Sequence, residues 1–296
     1  MEHCCITPWL FGQEGEEEHK LKEPRGIASN TRRQFLIADD KDKTVKVFDS
    51  NGKFNFRFNP QTDDAERELH ILDVATAGED DKIFLLVILE RPGAFEWESE
   101  VQVFNKTSDL QHKFPVRHGY RNRLTVSSGK ILLLGDAVDV HEPSGEFVYS
   151  FGEGVFKRAT AITATGDGRV IIVDDLHYRA YTFDVEGHQL GKFKVKYKRS
   201  SNEMDELTEG DHCYCIAYHP ARDHFVLAGE DRGTNRLTLA IYTFSGEFVR
   251  RIQLDEKVRH FLLCGGECVF GITVTVEGHI AVAFTDKHNK GKVIVV

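Results

Sequence analysis

A chain of 296 residues with 41% hydrophobic and 29% charged side chains has the length for a large core and the composition of a water-soluble globular protein. Its formal net charge of −9 argues against a broadly basic nucleic-acid-binding surface, and no apolar run approaches the roughly 20 residues that span a bilayer. Residues 1–20 lack a basic region followed by an apolar core, so a secretory signal is not expected and a cytoplasmic protein is.

In chain order the first clear elements fall in residues 25–58. "GIAS" is a short apolar lead-in, "QFLIADD" an apolar strand ending in two acids, and "TVKVF" an alternating strand. "DSNGKFNFRF" then supplies an Asn-Gly turn and a fourth strand of alternating character. Alternation at period two marks strands with one covered face, and Asn-Gly is a strong hairpin signal. The second element of this unit recurs as "KIFLLVIL", "KILLLGD", "RVIIVDD", "HFVLAGED" and "HIAVAFTD", each with its own lead-in and following strand. Six units result, over 25–58, 71–114, 122–152, 159–195, 214–254 and 270–296, with Ile27, Val74, Val126, Ile162, Ile216 and Ile272 as matching lead-in residues. Consecutive four-strand units at such spacing predict an all-β chain folded as one β-propeller domain across residues 1–296. The longest loop insertions are expected at 90–100 and 196–212.

The sixth unit stops at its third strand, "KVIVV". A sheet edge left open there would invite aggregation. Residues 6–12, "ITPWLFG", have the apolar character of a fourth strand, so a six-bladed ring closed by the N-terminal strand is expected.

The units lack the G-H and W-D pairs of WD40 repeats and a consistently placed Kelch-like double Gly. "LKEPRGIA", "FLIADDKDKTVKVFD" and "SNGKFNFRF" in the first unit, with "VIIVDDLHYRAYTFDVEGHQLGKF" in the fourth, resemble NHL repeats. The resemblance covers essentially the whole chain; the second, third and fifth units depart from it with degenerate acids and long inserts. It implies kinship with the C-terminal propellers of tripartite-motif (TRIM-NHL) ubiquitin ligases, in which the propeller recruits substrates or partners. Ligase activity would need a RING module, and none is present in these residues.

Asp39–Asp40 and Asp174–Asp175 occupy one position in two units, which points to acceptors for backbone N–H groups of the following loop more than to a metal or an acid–base pair. Two "SGEF" segments are turn chemistry. The fourteen His are scattered; His141, His177 and His288 fall near second-to-third-strand connections, without metal-ligand spacing. Six Cys form no C-x-x-C, and no G-x-S-x-G is present, so neither a cofactor nor a metal is expected. The segment "FPVRHGYRNRL" is different. It gathers Arg117, His118, Tyr120, Arg121 and Arg123 on the link between the second and third units, and the next link adds Lys157 and Arg158. With Tyr178 these residues form a candidate binding rim. The expected function is a non-enzymatic recognition module, monomeric in itself, for a protein partner. RNA bound through the local basic patch is the alternative. A metal-dependent enzyme resembling amidating lyases comes third.

Overall fold

The computed structural model describes residues 8–77, 80–93, 96–116, 123–177, 179–197, 205–206, 212–231, 236–252, 269–286, 288 and 290–296. Strand β1 (Trp9–Phe11) comes first. Blade 1 follows with β2 (Pro24–Ser29), β3 (Phe35–Asp39), β4 (Thr44–Phe48) and β5 (Phe54–Phe58). Blade 2 holds β6 (Glu68–Ala77), β7 (Lys82–Arg91), β8 (Glu96–Phe104) and β9 (Leu110–Pro115). Blade 3 holds β10 (Arg123–Ser127), β11 (Lys130–Leu134), β12 (Val138–His141) and β13 (Phe147–Phe151). Blade 4 holds β14 (Ala159–Ala164), β15 (Val170–Asp174), β16 (Arg179–Phe183) and β17 (Gln189–Lys194). The short β18 (Lys196–Tyr197) and β19 (Asp205–Glu206) pair within the next link. Blade 5 holds β20 (His212–His219), β21 (His224–Asp231), β22 (Arg236–Thr243) and β23 (Phe248–Ile252). Blade 6 ends the chain with β24 (Val269–Val274), β25 (Ile280–Thr285) and β26 (Gly291–Val295). Among the described residues no helix is long and apolar enough to cross a membrane.

Each blade is an antiparallel meander, and the innermost strands β2, β6, β10, β14, β20 and β24 pack in a ring. The sheet order β1-β26-β25-β24 closes that ring as the sequence suggests. Trp9, Leu10 and Phe11 pair with Val295, Ile294 and Val293. Because strand side chains alternate, each blade offers one apolar face to each neighbour. Among the described residues the core accordingly falls into six clusters, one at each blade interface. The cluster at the seam joins Phe11, Leu21, Phe35, Ile37 and Phe48 to Ala281, Ala283, Val293 and Val295.

A second device locks neighbouring blades on the outside. Phe11, Phe114, Phe151 and Phe193 occupy equivalent places on outer strands, opposite Val293, Val101, Val138 and Ala180. Each ring lies on a hairpin glycine of the next blade: Gly52, Gly145, Gly187 and Gly246. That Phe11 shares this place identifies β1 as a true fourth strand.

Register corrects two expectations. The lead-in residues opposite the middle of each second strand are Ile27, Val74, Leu124, Ile162, Ile216 and Ile272, so Leu124 takes the place expected of Val126. The two side chains share a face, and period two alone cannot separate them. A β-bulge opens the first strand in the other five blades and is absent from β10. The insertion expected at 90–100 is largely a hairpin extension, with Leu89, Glu90 and Arg91 paired to Glu98, Trp97 and Glu96.

Candidate binding face

Up-and-down connectivity places the blade-to-blade links and the loops between second and third strands on one face of the ring. Buried acids fix these loops in blades 1 and 4. Asp39 accepts hydrogen bonds from the N–H groups of Lys22 and Glu23, both at 2.9 Å, and from Lys46 Nζ at 2.9 Å. Lys46 is fully buried and also bonds Asp42. Asp174 accepts from the N–H groups of Lys157 (2.9 Å), Arg158 (3.2 Å) and Leu176 (3.1 Å), and lies 2.8 Å from His177 Nδ1. Asp40 reaches the next blade, accepting from Ile71 N–H at 2.9 Å while meeting Lys43 and His70. The structural role assigned to these acids stands, but the partners differ from expectation. They are mostly the link ahead of the blade and the neighbouring blade; only Asp174 also caps the loop that follows it. Burial alone would raise the pKa values of Asp40 and Asp174, yet these hydrogen bonds and cations outweigh it and hold both below the ordinary value.

The channel holds about 370 Å³ and is lined by the innermost strands. Side chains of adjacent blades satisfy backbone groups along its wall. Thr163 Oγ1 accepts from Tyr218 N–H, and Thr76 Oγ1 donates to the Ser29 carbonyl. Asp73 caps Leu124 N–H at 3.0 Å and its neighbour's N–H (Val74) at 2.9 Å. Burial pushes the Asp73 carboxyl up to about 6 despite the nearby Arg123 cation and both amides. No His is among the described residues lining this channel. His141 is buried at the end of β12 beside the hairpin to β13, not at a second-to-third-strand loop as expected.

Of the sequence-derived rim residues, Arg117, His118, Tyr120, Arg121 and Tyr178 lie outside the described residues. Arg123 opens β10 and turns to the channel mouth beside Asp73 rather than to the outer rim. Lys157 and Arg158 are exposed on their link, the latter ion-paired with Asp175. Sequence reasoning missed Arg179 and Lys194, which face each other across β16 and β17 beside this link. Counting back from the closing Phe183–Gln189 pair would set Arg179 opposite Phe193; the register shift between Thr182 and Phe183 brings Lys194 there instead. Leu176, in the same loop, is 53% exposed.

Across the ring, around blades 1 and 2, the same face is acidic, with Glu14, Glu16, Glu17, Glu18, Asp63, Asp64 and Glu66. Lys20, Arg57, Lys113 and Arg67 offset part of this charge through pairs to Glu17, Glu18, Asp63 and Asp64. Trp97, on the extended hairpin of blade 2, is 43% exposed.

No protein-family model matches the chain. It is 23% identical over 197 residues to the protein brain tumor of Drosophila melanogaster, a match covering 64% of this chain and 14% of that protein. It is 22% identical over 194 residues to the B-box type zinc finger protein ncl-1 of Caenorhabditis elegans, covering 64% of this chain and 17% of that one. The matched region is therefore a small part of either relative. Among solved structures, a streptogramin B lyase superposes with a TM-score of 0.58 at 11% identity, over 97% of both chains. A luciferin-regenerating enzyme gives 0.60 at 9% identity, over 97% of this chain and 94% of that one. The WD40 repeats of RRP9 give 0.59 at 9% identity, over 92% and 79%. At such identities these likenesses concern the fold alone.

Proposed function

We propose that this NHL-type propeller is a non-enzymatic recognition module whose loop face binds a protein partner. The observation that carries the reading is a rim of mixed charge with Trp97 and Leu176 exposed at 43% and 53%. Large apolar side chains among segregated charges suit a protein interface, in which a few anchors supply most of the affinity. Loops held by buried Asp39, Asp40 and Asp174 lose little freedom on binding, which supports the same reading. Within a longer chain like those of the two relatives, the module would recruit substrates for a tripartite-motif ubiquitin ligase.

Lys157 and Arg158 favour RNA as the second reading, since a local basic patch neutralises phosphates. The test is a displayed random-peptide library selected against the domain, run beside a random single-stranded RNA pool at near-physiological salt. Enriched peptides that lose binding on Trp97→Ala or Leu176→Asp support protein recognition. Sub-micromolar RNA binding that falls steeply with salt, with no enriched peptide, overturns it.

A further inference from the structure

The hairpins between third and fourth strands lie on the face opposite the loop face, and those of blades 3, 4 and 5 share a pattern. In blades 1 to 5 a β-bulge interrupts the pairing of these two strands just past the hairpin. A bulge leaves its extra residue outside the ladder. That residue is Asn55, Gln111, Val148, Leu190 and Val249 in turn, polar in blades 1 and 2 and aliphatic in blades 3, 4 and 5. The three aliphatic side chains are exposed at 43%, 57% and 43%. Val185, in the blade 4 hairpin, is also exposed, and its carbonyl accepts the Tyr149 hydroxyl of blade 3. Four of the eight large apolar side chains exposed among the described residues thus fall on this rim.

Each of the same three hairpins carries an exposed acid, Glu146, Glu186 and Glu247, none of them in an ion pair among the described residues. The S-G-E-F-V run common to blades 3 and 5 supplies both the acid and the valine. Around them Lys130 pairs with Glu142, Arg169 pairs with Asp167 and Asp223, and His188 lies against Asp184. Arg222 has no ion pair among the described residues, but it sits on the inner hairpin of blade 5. Lys192 and Arg250 follow Leu190 and Val249 along the outer strands, so the anionic strip is the hairpin rim and not the outer wall. Blade 1 has Lys53 where the acids stand, and in blade 2 Asp109 is taken by Asn105 and Thr107. We propose that the rim of blades 3 to 5 is a second interaction surface, docking a basic segment of a protein partner. Its cations would meet Glu146, Glu186 and Glu247, and its aliphatic side chains would cover Val148, Leu190 and Val249. Exposed aliphatics mark a contact surface, and the sign of the charge selects the occupant. Nucleic acid, an anionic lipid surface or the same rim of a second copy would be repelled.

Fluorescence anisotropy at near-physiological salt tests this with a labelled dodecapeptide of alternating Lys and Leu, run beside a Glu/Leu counterpart. The basic peptide is expected to bind and the acidic one is not. Two triple variants should each weaken binding at least tenfold: Glu146→Lys, Glu186→Lys, Glu247→Lys, and Val148→Ser, Leu190→Ser, Val249→Ser. Glu14→Lys, Glu16→Lys, Glu66→Lys on the loop face changes net charge by the same amount and should leave affinity within about twofold. All nine side chains are exposed, so Tm should hold in each variant, which separates lost binding from lost folding. Equal losses in the two lysine variants would reduce the attraction to net charge and overturn the inference. No binding of the basic peptide, or unchanged affinity in the serine variant, would overturn it too. A dimer in sedimentation equilibrium that the serine variant abolishes, with no peptide bound, would assign the rim to a second copy instead. None of these outcomes bears on recognition at the loop face, which the library selection tests separately.

Discussion

The outer lock between blades makes a quantitative prediction at Gly187. This residue sits at φ 86° in the hairpin of blade 4, a backbone region that L side chains rarely adopt. A Cβ built there would lie 2.6 Å from Cβ and 2.7 Å from Cγ of Phe151. Those atoms are the root of the ring, so a rotamer change cannot clear them. Two costs add in Gly187→Ala. The left-handed backbone costs about 1–2 kcal/mol for a residue with a Cβ, and forcing the blades apart costs about 1–3 kcal/mol. Their sum, about 2–5 kcal/mol, corresponds to a Tm lowered by roughly 4–15 °C in a domain of this size. Gly129 provides the control, since its φ is 75° and nothing lies within 4 Å of its added Cβ. Gly129→Ala should therefore lose only the backbone part. Phe151→Ala keeps the Cβ but removes Cγ and the ring, which frees the outer strand to shift, so Gly187→Ala should cost less in that background than alone. Differential scanning fluorimetry on the wild type and these four variants decides the matter. Equal losses for Gly187→Ala and Gly129→Ala, or strict additivity with Phe151→Ala, would refute the lock.

Three further outcomes are expected. Deleting residues 1–12 removes Trp9, Leu10 and Phe11 and uncovers the β26 edge; at about 1.5–3 kcal/mol per large apolar side chain, Tm should drop and light scattering should reveal association. Burial lifts the Asp73 carboxyl to about 6 in the fold, above its ordinary 3.8, so the proton stabilises the fold at low pH and that contribution is lost as pH rises through 6. Asp73→Asn should therefore gain on the wild type by on the order of 3 kcal/mol between pH 4 and pH 7.5 in urea titrations; a constant difference across that window would contradict the assignment. Chelators should leave Tm unchanged, checked by fluorimetry with metal analysis of the purified protein, and one tightly bound equivalent would contradict this.

The ring was legible because its signal is repeated. Six copies of an apolar second strand give blade number, and the strand missing from the last copy gives closure. What escaped were features set by pairing rather than by pattern. Leu124 and Val126 lie on one face of β10, and only the partner Leu133 says which occupies the lead-in place. Arg179 and Lys194 are separated by a hairpin, so neither looks like part of a basic cluster until the register sets them opposite. Arg123 sat within a basic run that seemed to belong to the rim, but as the opening residue of an innermost strand it turns toward Asp73. A link residue and a strand residue can be neighbours in sequence and still face different compartments.

In blades 2 and 5 a missing acid goes with a longer hairpin between the second and third strands. Register places Asp39 and Asp174 in line with Val87 in blade 2 and Gly229 in blade 5. Where the acid is present, the second and third strands pair only as far as Asp39–Thr44 and Asp174–Arg179. In blades 2 and 5, where it is absent, the same hairpin runs on to Arg91–Glu96 and Asp231–Arg236, whereas blade 3, with Gly135 in that place, ends its pairing at Leu134–Val138. Backbone groups at the rim must be satisfied in either case. A buried carboxylate does so in blades 1 and 4, and extra ladder hydrogen bonds do so in blades 2 and 5. The acid solution leaves a short, tightly capped loop whose outward side chains are free to vary. Blades 1 and 4 stand opposite each other in a six-bladed ring, and the face is acidic beside the first and basic beside the second. The links beside these loops carry the charge contrast, Glu14–Glu18 and Asp63–Glu66 against Lys157 and Arg158, while the extended hairpin of blade 2 carries the exposed Trp97.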